Sequence, residues 1–222
     1  MNYICRAPGC GSRAASRFGV YCSSHKAQLR RHGAIGQRAI TKADLKLYRA
    51  LVVARFAKNQ GTVLRSQFEA QWKALVSRAE AIIQAFKAGT PMVRFRREAA
   101  REVLKLNKGV KVADLIETVL AIYVMQDQEP RRFKNESAFR TQMVRRVRGL
   151  TPLNSDAWTD CKTGKAKRVY RDLAPRTVAV ISQWLAEALG VAGLHFAKLE
   201  RRDHERRQEA LKNYRQALGD MQ

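Results

Sequence analysis

Long hydrophobic runs are absent from this sequence of 222 residues. No stretch approaches the roughly 18 uninterrupted apolar residues that a membrane span needs, and the residues after Met1 lack the apolar run of a signal peptide. We therefore expect a cytoplasmic protein with no membrane partner. Because 45% of the residues are hydrophobic, the chain can still bury at least one core, and we expect it to be globular.

Cysteine is scarce and unevenly placed. Three of the four cysteines lie near the N-terminus together with a histidine, whereas Cys161 stands alone. A secreted protein with two disulfides would use all four thiols. The observed distribution fits a reducing compartment better.

Acidic residues are also few. The chain carries 19 Asp+Glu against 43 Lys+Arg, a formal net charge of +24, and such an excess favours a polyanionic partner. The excess is patterned, because residues 1–58 contain 12 basic and 1 acidic residue and residues 131–178 contain 13 and 4. These two basic regions predict nucleic-acid-binding faces. Ribosomes, acidic proteins and anionic lipid are the other polyanionic partners that such a charge could bind.

The common catalytic motifs are missing. The sequence contains no Gly-rich phosphate loop, no Gly-x-Ser-x-Gly elbow and no His-Glu-x-x-His, so we expect a protein that is not an enzyme. Asp156, Asp160 and Asp172 lie among basic residues and could assemble a metal-dependent nuclease site. Isolated loop carboxylates are more often helix caps or ion-pair partners.

Residues that favour zinc are concentrated near the start of the chain. Four residues separate Cys5 from Cys10, eleven separate Cys10 from Cys22, and two separate Cys22 from His25. Thiolates and an imidazole form the closed tetrahedral shell of a structural zinc ion, and each close pair sets two ligands on one turn. The sequence therefore predicts one structural Zn²⁺ bound by these four residues, in a zinc module over residues 1–32.

Residues 3–32 resemble the treble-clef-like zinc modules of Cys-x4-Cys and Cys-x2-His form with a Gly-Val-Tyr-Cys second knuckle. Such modules occur in many phage, plasmid and HNH-endonuclease-associated proteins. The resemblance implies contact with DNA or RNA and a phage or mobile-element origin, and hence a bacterial host cell. The catalytic residues of the HNH nucleases have no match after the second knuckle, so nuclease activity is not implied.

Basic side chains surround the predicted zinc module and are expected to contact phosphates. Those in this first basic region are Arg13, Arg17, Lys26, Arg30 and Arg31. His32 could replace His25 as the fourth zinc ligand, but a lone histidine beside two arginines is more typical of a solvent or phosphate contact.

The rest of the chain predicts a mainly α fold, because apolar residues recur at helical spacing between cap and break signals. A linker at 33–40 precedes a multi-helix domain at 41–194. Helices are predicted from Thr41 to before Gly61, from Ser66 to Gly89, over about 91–107, 112–126 and 135–148, and from Pro175. The helix at 112–126 lies in the least basic region and is expected at the centre of the core.

The predicted helix at 135–148 carries apolar residues on one side and arginines on the other, as a recognition helix in a major groove does. The alternative is the solvated face of a core helix. A basic turn and strand follow it, so the element order over 91–172 matches that of a winged helix-turn-helix domain, an analogy from element order alone. The expected nucleic-acid contacts here are Arg140, Arg145, Arg148, Lys165, Lys167 and Arg168.

Gly190 and Gly193 are expected to separate the helix that begins at Pro175 from a charged C-terminal helix at 195–222. That last helix is polar all round, with Arg201–Glu205 and Asp203–Arg207 as partners four residues apart. We expect it to project into solvent or to dock on a protein complex.

Together these patterns predict a zinc-containing nucleic-acid-binding protein, with DNA favoured over RNA, that acts as a regulator or accessory factor of a phage or mobile element. Three alternatives stay open at this point: an RNA-binding protein, a protein–protein adaptor or inhibitor that docks on a larger nucleic-acid-processing complex, and a metal-dependent nuclease.

Overall fold

The described part of the chain contains seven α-helices, two short 3-10 helices and one β-hairpin. The structure, a computed structural model, describes residues 3–59, 63–161 and 163–219, and of residues 156–157, 167–169 and 218–219 it describes the backbone alone. The elements are α1 (Ser23–His32), α2 (Lys42–Lys58), α3 (Leu64–Lys87), α4 (Arg94–Gly109), α5 (Val112–Gln128), α6 (Glu136–Arg148), β1 (Ser155–Thr159), β2 (Ala166–Tyr170) and α7 (Pro175–Gly219). The prediction of a mainly α fold is confirmed.

Side-chain caps determine where several helices begin. The Thr41 hydroxyl accepts a hydrogen bond from the Asp44 N–H at 3.1 Å, and the Asp44 carboxylate accepts one from the Thr41 N–H at 2.7 Å, which together form a capping box. The Asn135 side chain caps α6 by accepting from the Ala138 N–H. By contrast α4 begins at Arg94 and not at Pro91, because Val93 is still in an extended conformation.

Helix α5 is the centre of the core, as its low charge and apolar sequence predicted. Ten of its residues are buried, and it packs against α2, α3, α6 and α7. The apolar stripe of α3, which includes Phe68, Trp72 and Leu75, faces the same core. Burial of each such side chain contributes about 1.5–3 kcal/mol.

Helix α7 is continuous, and the predicted interruption at Gly190 and Gly193 is wrong. Both glycines face Tyr123 of α5, and a Cβ atom at Gly193 would lie 2.4 Å from the Tyr123 ring. These positions lack a side chain because the tyrosine occupies the space. The glycines therefore permit close packing of α5 and α7 and do not end a helix.

The last turns of α7 leave the core. Residues up to Glu200 include buried positions, whereas every described side chain after Asp203 is exposed. Arg55 of α2 bonds to Glu200 and to Asp203, the latter at 2.6 Å, and Arg201 pairs with Asp127 of α5 at 3.2 Å. Glu200, Arg201 and Asp203 therefore form ion pairs with residues of α2 and α5. The sequence suggested pairs only between residues of the same helix. The stretch beyond Asp203 forms the C-terminal arm.

By length and composition alone, one window of α7 would be able to cross a membrane. Half of that window is buried inside the protein, against α3, α4, α5 and α6. The long, buried core helix of a helical bundle can meet the same criterion of length and composition.

The predicted basic turn and strand are present as part of a β-hairpin, in which β1 and β2 are antiparallel and Ser155 pairs with Tyr170. Gly164 adopts a positive φ in the connecting turn, where the Asp160 N–H donates to the Lys165 carbonyl. The order α4, α5, α6 and hairpin matches the predicted element order of a winged helix.

Residues 33–40 are packed against the helical domain and do not form a free linker. The Gln37 side chain donates to the Arg132 carbonyl and accepts from the Lys134 N–H, while the Ile40 N–H donates to the side chain of Gln142 on α6. Gly33, at φ 82°, lies so close to α6 that an added Cβ would be 2.4 Å from the Ser137 carbonyl oxygen. The N-terminal segment that carries the predicted zinc ligands is thereby held against α6.

Candidate metal centre and basic face

The predicted ligands Cys5, Cys10, Cys22 and His25 converge on one point. Their ligand atoms all lie within 4.8 Å of one another. The Cys10 and Cys22 Sγ atoms are 3.8 Å apart, and the His25 Nδ1 atom lies 3.5 Å from the Cys5 Sγ and 3.3 Å from the Cys22 Sγ. Within the described residues this is the one group of three or more His, Cys, Asp or Glu that could hold a metal ion.

These distances fit a tetrahedral zinc site. Bond lengths of about 2.3 Å to sulfur and about 2.0 Å to nitrogen place two sulfurs about 3.8 Å apart and a sulfur and a nitrogen about 3.6 Å apart around one ion. A disulfide would require a separation of about 2.05 Å, far shorter than the 3.8 Å between Cys10 and Cys22. The four residues could therefore hold a metal ion, and three thiolates with one imidazole are a donor set that zinc prefers.

The first pair of ligands is held by a short turn. Gly9 and Gly11 both adopt positive φ angles of 72° and 52°, which glycine permits without steric cost. The Cys10 N–H donates to the Ala7 carbonyl at 3.1 Å, and the Cys5 N–H donates to the Ser12 carbonyl at 2.8 Å. These bonds turn both thiols towards the same side.

The second pair lies at the start of α1. Cys22 is the N-cap residue of the helix, and its Sγ accepts the His25 N–H at 3.5 Å. His25 falls in the first helical turn, so its ring returns to the Cys22 sulfur. Both ligands of the second pair therefore belong to the beginning of one helix.

The thiols of the cluster differ in acidity. Hydrogen bonds from the Ser12 backbone and side chain lower the pKa of Cys10 to about 6. At Cys22 the His25 N–H lowers the pKa, but desolvation and the neighbouring Cys10 and Cys5 sulfurs outweigh it, so the pKa is raised. Because the metal ligand is the thiolate, the lowered pKa of Cys10 favours its binding to a cation near neutral pH more than the raised pKa of Cys22 does.

His32 does not join the cluster. Its Nδ1 atom lies 3.2 Å from the side-chain nitrogen of Gln142, and burial together with Arg145 and Arg31 lowers its pKa. His25 is thus the fourth member of the cluster. Gln142, which is fully buried and also bonds to Ile40, is a positioning residue that helical periodicity did not single out.

The two basic regions of the sequence meet along α1 and α6. Lys26 and Arg30 of α1 and Arg140 of α6 line one groove of about 800 Å³. Arg145 of α6 donates to the Arg31 carbonyl of α1 at 2.9 Å. We call Lys26, Arg30, Arg31, Arg140 and Arg145 the α1–α6 basic face.

Two acidic residues partly neutralise this face. Asp172 lies 3.1 Å from Arg31 and 3.7 Å from Arg145, and Glu136 lies 2.5 Å from Arg140. These pairs are at least partly exposed, so each contributes only about 0–1 kcal/mol and phosphate groups can compete for the arginines. Asp172, one of the three carboxylates considered for a nuclease site, is engaged by two arginines.

Arg148, which was predicted to contact nucleic acid, does not lie on a solvent-facing surface. Its side chain is 3% exposed, the Nε atom donates to Glu102 at 2.8 Å, and Nη1 donates to the Arg171 carbonyl. The side of α6 predicted to be basic also carries the buried Thr141. The interpretation of α6 as a recognition helix with an open basic side is therefore wrong, since α1 and the hairpin region cover much of that side.

The remaining predicted contacts lie on two other parts of the molecule. Arg13 and Arg17 are exposed residues of the zinc module, and Lys165 is exposed in the hairpin turn. The side chains of Lys167, Arg168 and Asp156 lie outside the described residues. Asp160 has an interaction partner.

Sequence reasoning missed the groove itself. Its other wall is formed by α7, through residues such as Val178 and Ser182. Val178 is largely buried, and the helical spacing of apolar residues gave no sign that a groove beside α1 borders it.

Comparison with protein-family models, with curated proteins and with solved structures finds no match to this chain. The phage and HNH resemblance of residues 3–32 therefore has no support from relatives. The metal-ligand cluster is supported by geometry alone.

Proposed function

We propose that this chain is a zinc-containing nucleic-acid-binding protein. In this proposal the zinc module and α6 present the α1–α6 basic face to the phosphate backbone of DNA. The single observation that carries the proposal is the convergence of Lys26, Arg30 and Arg140 on one groove. These residues come from two basic regions that are far apart in sequence.

The metal in this proposal is one zinc ion with a structural role. Four protein ligands fill a tetrahedral shell and leave no open position for a catalytic water. An isolated helix of ten residues, the length of α1, is marginal in water. Zinc would therefore hold α1, and with it Lys26, Arg30 and Arg31, in a fixed orientation.

The charge of the N-terminal part supports a polyanionic partner. Residues 1–43 contain eight basic residues and no Asp or Glu, so any acidic ligand would meet little repulsion there. Electrostatic contact with phosphates supplies most non-specific affinity of DNA-binding proteins. The role that we propose is that of a DNA-binding regulator or accessory factor, and the resemblance of the zinc module suggests a phage or another mobile element as its source.

Salt-titrated binding tests the proposal. Fluorescence anisotropy would be measured with a short duplex DNA, a single strand of the same sequence and a structured RNA, from about 50 to about 200 mM salt. We expect duplex affinity to fall steeply with salt, with a logarithmic slope of about −0.9 for each phosphate neutralised. Tighter binding of the RNA across the series would instead favour the RNA-binding alternative.

Variants of the groove sharpen this test. Lys26→Ala, Arg30→Ala and Arg140→Ala should each reduce the magnitude of the salt slope by about 1. Lys87→Ala, at an exposed position outside the groove, should leave the slope unchanged. Absence of salt-dependent binding to all three nucleic acids would overturn the proposal.

The C-terminal arm supports a second candidate function, that of a protein–protein adaptor. Leu211 and Tyr214 are exposed and lie three residues apart, on one side of a helix that no other described element covers. Deletion of residues 204–222 should then abolish capture of a protein partner while DNA binding persists. If deletion changes neither, the adaptor function has no basis.

A further inference from the structure

An aromatic side chain lies at the tip of the zinc module, where no packing explains it. Phe18 is 90% exposed and follows Arg17 in the turn Ser16–Gly19, which the Gly19 N–H closes by donating to the Ser16 carbonyl at 2.9 Å. The Arg17 guanidinium lies 5.8 Å from the centre of the Phe18 ring. A ring held this far into solvent is accessible to a ligand, and a ligand that covers it would remove apolar surface from water.

The turn that carries Phe18 is braced by backbone hydrogen bonds close to the metal-ligand cluster. The Ala14 N–H donates to the Tyr3 carbonyl at 2.8 Å, and the Ala15 N–H donates to the Tyr21 carbonyl at 2.9 Å. Tyr21 directly precedes the ligand Cys22. The ring is therefore presented by a backbone that is fixed on both sides, and a ligand that covers it need not first order the loop.

A recess adjoins this turn. It has a volume of about 330 Å³ and is lined by Tyr3, Arg13, Ala14, Ser16 and Arg17, and the Tyr3 side chain is half exposed. The turn that carries Phe18 thus borders a recess that offers a second aromatic ring and two arginines. The complementary ligand carries flat apolar groups and negative charges in close alternation.

Nucleic acid with unstacked bases has this chemistry. Each base offers a planar face, and each nucleotide adds a phosphate within reach of a neighbouring arginine. Fully paired duplex DNA hides its base faces, so a protruding ring meets them only at unpaired, bulged or opened positions. An acidic peptide would supply the charge but no regular series of planar groups.

We propose that Phe18 stacks on an unpaired base, and that Arg17 and Arg13 hold the adjacent phosphates. The inference rests on the proposed function and deepens it, because it assigns a preference for DNA that contains unpaired bases over uninterrupted duplex. The α1–α6 basic face would contact the backbone, and the Phe18 turn would recognise the unpaired position.

The experiment compares two DNA duplexes of one sequence, the second of which carries a single bulged 2-aminopurine. Wild-type protein should bind the bulged duplex more tightly and quench its fluorescence, because stacking quenches 2-aminopurine. Phe18→Ala should bind the bulged duplex roughly 5- to 150-fold more weakly and should leave affinity for the paired duplex unchanged. Val191→Ala, which removes an exposed apolar side chain from α7, is the matched control and should behave as wild type.

Further variants separate stacking from other contacts. Phe18→Trp should retain the preference and the quenching, whereas Phe18→Leu, which keeps apolar bulk without a ring, should lose both. Zinc content and the helical circular dichroism signal should equal those of wild type in every variant, because Phe18 supports no packing.

The outcomes distinguish this inference from the proposed function. If the protein binds DNA with a steep salt slope but Phe18→Ala binds both duplexes as wild type does, the stacking role is wrong and the proposed function stands. If neither duplex is bound, both fail. If Phe18→Ala instead weakens binding only to vesicles of phosphatidylserine and phosphatidylcholine, the turn contacts lipid and the stacking proposal is overturned.

Discussion

Arg145 of α6 donates a hydrogen bond to the carbonyl oxygen of Arg31 in α1, at 2.9 Å. This bond joins the N-terminal segment with the candidate metal cluster to the helical domain, next to Gly33, whose missing side chain lets the two helices approach. The consequence is that the positive charges of both regions share one surface. Rigid attachment, and not charge alone, gives that surface a defined shape.

Removal of the metal should disorder this surface. Treatment with a strong chelator is expected to unfold residues 3–32, because few apolar contacts hold the module together and α1 is too short to persist alone. Nucleic-acid affinity and the magnitude of the salt slope should fall together. Two-dimensional NMR would follow the loss of dispersed module signals, and Cys161→Ser, which alters an exposed thiol outside the cluster, should show the same response as wild type.

Arg148 should matter for stability and not for phosphate contact. Glu102→Gln leaves the buried guanidinium without its charged partner and should lower the free energy of unfolding by about 3–5 kcal/mol. Urea unfolding measures this change. Arg140→Ala, at an exposed ion pair, should change stability by no more than about 1 kcal/mol.

DNA affinity distinguishes the role of Arg148 from that of Arg140. DNA affinity measured under conditions where the protein is fully folded should be unchanged in Glu102→Gln and weakened in Arg140→Ala. The opposite pattern would show that Arg148 contributes to nucleic-acid binding.

Gly193 should be intolerant of even the smallest side chain. Alanine in a helix interior is normally more favourable than glycine by about 1 kcal/mol, but here its Cβ would overlap the Tyr123 ring. We expect Gly193→Ala to destabilise the protein by about 1–3 kcal/mol. Combining it with Tyr123→Leu should cost less than the sum of the two single changes. If thermal denaturation showed Gly193→Ala to be as stable as wild type or more stable, the proposed overlap with Tyr123 would be wrong.

The capping box of α2 should be sensitive to acid. The Thr41 backbone N–H, and after it the Thr41 hydroxyl and Arg132, lower the pKa of Asp44 against an opposing effect of burial. A carboxyl group whose pKa is lower in the folded state stabilises the protein above its unfolded pKa of about 3.9 and loses this contribution as the pH falls through the folded pKa. Asp44→Asn should therefore be less stable than wild type at neutral pH, and the difference should shrink below about pH 4.

Urea unfolding across this pH range checks the prediction. Glu205→Gln, on the exposed C-terminal arm, controls for the loss of one negative charge. A difference between Asp44→Asn and wild type that stays constant down to the lowest pH would show that the charge of Asp44 contributes nothing.

Sequence patterns between residues close together in the chain predicted most of the helices and the metal-ligand cluster. Cap residues and apolar spacing placed most helices within a few residues, because they depend on neighbours along the chain. Ligand spacing identified the metal cluster and favoured His25 over His32 for the same reason. The errors concern contacts between distant segments.

The distant contacts could not be read from local pattern. Gly193 looks like a helix break until Tyr123 is seen against it, and Arg148 looks solvent-facing until Glu102 is found beside it. Both partners lie far away in sequence, and single-sequence periodicity contains no information about which helices pack together. The groove between α1, α6 and α7 was missed for the same reason.

Elemental analysis of the purified chain tests the central claim most directly. Protein prepared without added metal or chelator should contain about one zinc ion per chain, since three thiolates and an imidazole fill one tetrahedral shell. Cys22→Ser should lose that zinc, and Cys161→Ser should keep it. A wild-type chain that is folded and free of stoichiometric zinc, or a Cys22→Ser variant that retains it, would contradict the account.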